Sequence, residues 1–435
     1  MRNSLRIVLA IVLAMGPAYG ALAQSSTDNA ASKPLLYTGV TGSIDASGLD
    51  DPQYVLSFVP IQRLMLDATQ HALTKAEVER AVAGTPVSLS QLLQLELLRQ
   101  EGELYRLNYL LLTVEDQRTM YRTCARYGQS LADAYRAHQT EFDSIAKKYP
   151  NAALRLQLMF GLIAGVSLDW RGLDLTTELG YRVQPQQHAK GGEYLIHSSE
   201  AGADLDFTGL YLDSETAPGS KMSFSTFGDG ASMPRLEGLP DVLDGGLEKA
   251  MEDWQKLPEV YAALRSQYVV LLLLAIDDAG QVMNAVASGA ADSDAALARA
   301  IPLSEDRRKA SLGLLSAIGY LQETDHRYVV GVPVLTEADK PLVDAVLKLS
   351  REIMVAWLRA NYPAIEKDLS GLSPMRSGLP FSLAFSEAWH YTFGFASKSL
   401  AESGFYANPR AKGNRYEGYV PLVWASSLMK GPGSR

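Results

Sequence analysis

"VSLSQLLQLELLRQEGELYRLNYLLLT", Val87 to Thr113, packs eleven leucines into 27 residues. Just inside its start, Ser88-Leu89-Ser90-Gln91 places a hydroxyl three positions before a side-chain amide. In that spacing the serine oxygen accepts from the third backbone N–H while the glutamine reaches back, so a helix starts at Ser88. Leu98 to Gln100 and Leu104 to Thr113 then read as two strands joined tightly at Glu101-Gly102. Upstream, Leu56, Val59, Ile61, Leu64, Met65 and Leu66 recur at helical spacing. Thr74-Lys75-Ala76-Glu77 opens a second, short helix that Gly84 closes. Downstream, Val114 to Lys148 reads as one long helix ending before Tyr149-Pro150, because proline disfavours helix in the residue before it.

Helix, short helix, helix, hairpin and long helix is the order of elements in winged-helix proteins. Leu92 to Leu107 resembles the LLxLxLLxxxGxxYxL texture of that superfamily in bacterial regulators. The resemblance spans about 75 of the 435 residues and implies a winged-helix-like module over residues 51–150.

Sequence readout on DNA needs polar side chains on the recognition helix and a surround of Lys and Arg to hold phosphates. Across Ser88 to Arg99, leucine occupies 89, 92, 93, 95, 97 and 98, and Arg99 is the one basic residue. Residues 51–125 hold seven basic against nine acidic side chains, a net of −2, and the wing carries Glu101 and Glu103. The residues therefore argue for packing or protein contact, with no nucleic acid expected as a partner.

The chain begins with the parts of a secretory signal: basic Arg2 and Arg6, an apolar run from Ile7 to Met15, and Ala21-Leu22-Ala23 as a cleavage box. The run is shorter than the roughly 20 apolar residues that span a bilayer. Cleavage is expected before Gln24, placing the protein in the periplasm or outside the cell with no membrane span remaining. The full chain carries a net charge of −9; without residues 1–23 it has 38 basic and 49 acidic residues, −11. So acidic a chain has no general attraction for phosphate backbones or anionic lipid. Cys124 is the single cysteine, so no intramolecular disulfide exists, and a free thiol in an oxidising compartment is expected to be buried in a helix.

Residues 24–50, rich in Ser, Ala, Asp, Thr and Gly, read as a flexible leader with a short docked piece at Leu35-Leu36-Tyr37. Residues 151–435 read as a mainly helical domain with a β-rich or irregular section at 180–246, which contains extended pieces at Glu193–His197, Phe207–Leu212 and Met222–Phe227. Gly161 and Gly165 suggest close helix packing, and Arg410 to Ala425 an irregular tail. The fold class is α+β, predominantly α-helical.

No stretch fixes a reaction. The loop after the expected strand Met222–Phe227 places Asp229 between Gly228 and Gly230, followed by Arg235 and Asp241; glycines there let backbone approach a ligand. Glu387 and His390, three apart, share a helix face. Asp229, Arg235 and His390 are the candidate catalytic residues, and Gly228, Gly230, Asp241 and Glu387 the candidate ligand contacts, of an exported hydrolase built on the 227–241 loop and the 382–402 helix. His188 and His197 are expected to be exposed. A second Glu-x-x-His pair, Glu323 and His326, lies near a strand-like run. Nucleotide-loop, dinucleotide-loop and zinc spacings do not occur, so no cofactor and no metal is expected. The leading expectation is a non-catalytic exported binding protein whose partner is a protein or a small molecule.

Overall fold

The computed structural model describes residues 34–44, 46–188, 191–207, 209–210, 212–218, 221–228, 277–317, 319–407 and 419–428. Helix (56 %) outweighs strand (18 %), and the sheets are small and scattered, so the chain is α+β and predominantly helical.

The first element corrects part of the flexible leader, extending the piece expected at Leu35-Leu36-Tyr37 into a nine-residue strand. Strand β1, Leu36–Ile44, pairs antiparallel along its whole length with β7, Gly192–Glu200. Leu36 and Val40, four apart and so on one face of the strand, are buried. Helix α1 (Val59–Gln70) is followed by β2 (Leu73–Thr74), α2 (Lys75–Val82), α3 (Leu89–Gln94), β3 (Leu98–Glu101), β4 (Leu104–Leu107) and β5 (Leu110–Leu112). Both expected capping boxes form: Thr74 with Glu77, and Ser88 with Gln91. In the first, the Thr74 backbone N–H and hydroxyl bonded to Glu77 hold its carboxyl down to about 2. Gly102 makes the wing turn at φ +63°, a left-handed conformation that side chains other than glycine's resist.

Helix α4 runs from Val114 to Arg136 and a separate helix from Gln139 to Ala146, so the single long helix is interrupted near His138. Cys124 is fully buried in α4. Helix α5, Ala152–Glu178, is the one helix among the described residues long and apolar enough to cross a membrane, yet most of that apolar window is buried inside the protein. Its Gly161–Arg171 stretch is π-helical. Strands β8 (Asp213–Pro218) and β9 (Met222–Gly228) follow the short β6, Gln186–Gln187. The C-terminal part holds α6 (Asp277–Ala287), the hairpin β10–β11 (Leu321–Thr324 and Arg327–Val330), β12 (Val334–Leu335), α7 (Lys340–Leu369), α8 (Phe381–Glu402) and β13 (Tyr419–Ala425). β13 corrects the expected irregular tail. Its aromatic and apolar residues Val420, Leu422, Val423 and Trp424 are all buried.

The chain divides into two compact units, each drawn from three stretches: residues 1–127, 173–206 and 358–392 in one, and 128–172, 207–357 and 393–435 in the other. In the first, β2, β4 and β3 form a three-stranded sheet with β4 in the middle, and β1, β7 and β5 form a second sheet. Leu36, Val40, Tyr194 and Ile196 share one apolar core with α1, α2, α3 and the hairpin. In the second unit, β9 is buried on both faces. Phe227 presses on Gly165 of the π-helical stretch so closely that a Cβ there would lie 2.1 Å from its ring, and Leu422 presses on Gly161 in the same way. Met222, of opposite parity on β9, meets Gly280 of α6. Gly161 and Gly165 thus admit strands where helix packing was expected.

Candidate functional site

The leucines of Val87–Thr113 are used by the module itself. Leu92 and Leu97 are fully buried, and Leu95 and Leu98 nearly so, packed with Leu64, Met65, Val78 and Leu107. Leu89 and Leu93 are partly buried against the same core. Each leucine carried from water into such a core contributes roughly 1.5–3 kcal/mol, so this helix is held by its apolar side chains. Its exposed face presents Ser90 and Gln94.

Arg99, the one cation between Ser88 and Arg99, is engaged by acceptors of its own chain. Its Nε donates to Glu101 Oε1 at 2.9 Å, its Nη1 to the Leu107 carbonyl at 3.1 Å, and its Nη2 to the Ser377 carbonyl at 2.6 Å. Arg106 donates to the other oxygen of Glu101 at 2.7 Å. Hydrogen bonding from Arg99 first, and then Arg106, holds the Glu101 carboxyl below the usual range. The wing therefore carries an arginine–glutamate–arginine cluster at its surface. Planar guanidinium groups recognise phosphate through the donors spent here on carboxylate and carbonyl oxygens.

Of the residues singled out for chemistry, Asp229, Gly230, Arg235 and Asp241 lie outside the described residues. Gly228 closes β9, paired with Tyr419 and Asp213. Glu387 and His390 both sit on α8. His390 Nδ1 lies 2.8 Å from the Ser386 carbonyl one turn back, which places the proton on Nδ1.

Glu387 is buried, and its Oε1 lies 3.8 Å from Nδ1 of His197 on β7. This corrects the expectation that His197 is exposed: it is 8 % exposed, because its side chain points off β7 on the face opposite Tyr194 and Ile196. The ring lies across the neighbouring strand over Gly39, its register partner, where a Cβ would stand 2.1 Å from Nε2. Nε2 has no hydrogen-bond partner. A catalytic base must reach a proton on its ligand; this nitrogen is aimed at the backbone of β1. Arg182 completes the group, its guanidinium pulled down by burial while Asp174 and Glu387 act against that effect. His197 and Glu387 form a buried pair joining strand to helix, at a separation beyond hydrogen-bond length.

His188 is likewise half-buried rather than exposed, stacked on Tyr194 at 3.9 Å with Nε2 3.0 Å from the Tyr194 carbonyl. Glu323 and His326 fall on the β10–β11 hairpin, where Asp325 and His326 turn at φ +52° and +58° and the His326 side chain is fully exposed. His326 Nδ1 lies 3.6 Å from Glu323 Oε1, an exposed pair across the hairpin turn. Among the described residues no group of three or more His, Cys, Asp or Glu side chains converges to hold a metal.

A cleft of about 410 Å³ opens between the end of α1, the first turn of α4 and the end of β7. Asp67, Thr69 and Gln70 line one wall, Thr113, Glu115 and Arg118 the other, with Glu200 beside them. The α4 N-terminus, an anion site in principle, is occupied by the chain's own groups. Val114 N–H donates to Glu200 Oε2 at 2.8 Å and Asp116 N–H to Thr113 Oγ1 at 3.2 Å, while Asp116 Oδ1 accepts from Ser373 N–H at 2.9 Å. Thr113-x-x-Asp116 was the sequence sign of this cap; the contribution of Glu200, 86 residues away, left none.

The chain matches no known protein family, no curated protein and no solved structure. Function therefore rests on the side chains. The described ones assemble an arginine–glutamate–arginine cluster on the wing, a buried histidine–glutamate pair and an acid-rich cleft; the wing's charges are met by one another, and the pair is shut away from solvent.

Proposed function

We propose that the chain is an exported, non-catalytic binding protein whose N-terminal part is a winged-helix-like module used for protein contact and not for reading DNA. The order helix, strand, two helices and a hairpin, with β4 between β2 and β3, supports the winged-helix reading. The observation that carries the role is Arg99: the one cation between Ser88 and Arg99 donates three hydrogen bonds to its own chain, leaving a neutral helix face and a glutamate-bearing wing. A phosphate-bound module spends its arginines outward. The same module presents two large apolar side chains to solvent, Tyr54 at 45 % and Leu104 at 39 % exposure, the second at the wing. Aromatic and aliphatic anchors of this type are what a protein partner desolvates.

The test is a photo-crosslinking amino acid placed singly at Tyr54, Leu104 and Leu92 in the full chain, expressed in its native host and fractionated. The expected result is a discrete protein adduct in the exported fraction from position 54 or 104 and none from 92, which faces the core. A chain retained in the cytoplasm, or no adduct from either exposed position, would overturn the proposal.

A further inference from the structure

No further inference is drawn: the strongest candidate, the acid-rich cleft between the end of α1 and the first turn of α4, joins an acidic cluster to a helix N-terminus whose amides Glu200 and Thr113 already bond, and nothing in the structure points to a ligand in it.

Discussion

Gly39→Ala tests the His197 geometry through the sign of its effect. In most strands replacing glycine by alanine removes backbone freedom from the unfolded chain and stabilises by about 0.5–1 kcal/mol. Gly39 has ordinary negative φ, so that gain applies here. A Cβ at this position, however, would stand 2.1 Å from Nε2 of His197 and 2.8 Å from Cε1. The ring is buried and flanked by Glu387, so it has to shift against packed neighbours, an overpacking cost of about 1–3 kcal/mol. The net expectation is a loss of up to about 2.5 kcal/mol. In a His197→Ala background the obstruction is gone, and the same substitution should stabilise by about 0.5–1 kcal/mol. The two changes are therefore coupled by about 1–3 kcal/mol. Hydrogen exchange followed by mass spectrometry on peptides covering β1 and β7 reads this part of the chain directly, whatever the rest does. Additive effects, or stabilisation by Gly39→Ala in the wild-type background, would refute the placement of the ring over Gly39.

Leu92→Ala, at a fully buried position, should cost about 2–5 kcal/mol in chemical denaturation, whereas Leu104→Ala should fall within about 0.5 kcal/mol of wild type; equal effects would contradict the inward orientation of the α3 leucines. Arg99→Ala should cost about 1–3 kcal/mol by stranding the Leu107 and Ser377 carbonyls, and a neutral outcome would mean those bonds are not made in solution. Cys124, whose thiol burial pushes up to about 12, should react with a disulfide reagent only as fast as the protein unfolds, and rapid labelling of the native chain would show it accessible. Burial raises the Asp51 carboxyl above its ordinary 3.8, outweighing the bonds from Gln53 and Tyr54 N–H. The folded state thus binds that proton more readily than the unfolded state, and Asp51 destabilises as pH rises through the carboxylate range. Asn keeps the cap without the charge, so Asp51→Asn should raise stability at pH 7 relative to pH 4, and an unchanged pH profile would remove this assignment.

What was legible in the sequence lay close together along it. Capping residues such as Thr74 with Glu77 and Ser88 with Gln91 act over three positions, so their boxes could be read directly, and the leucine spacing of α3 marks its buried face. Strands β1 and β13 were missed because each gains its hydrogen bonds from a partner far away: β1 from β7, β13 from β9. A single strand of mixed composition carries little sign of that. The interleaving of three stretches in each compact unit is equally invisible to local pattern. For the site, Glu387 could be marked as half of a helical pair with His390, but its actual neighbour, His197, lies 190 residues away. The space that admits that neighbour comes from Gly39, a residue whose role appears only once strands are in register. The inward use of Arg99 shows the same limit: its acceptor Ser377 is 278 residues distant.

The most direct test of the central claim is fluorescence anisotropy of a labelled random DNA duplex titrated with the chain from Gln24 onward, at low salt. Non-specific DNA binding typically has a Kd between about 10⁻⁴ and 10⁻⁶ M. With Arg99 and Arg106 closed onto Glu101, no saturable rise is predicted up to about 100 µM, the weak end of that range. Micromolar binding that weakens steeply with salt, and that Arg99→Ala or Arg106→Ala abolishes, would contradict it.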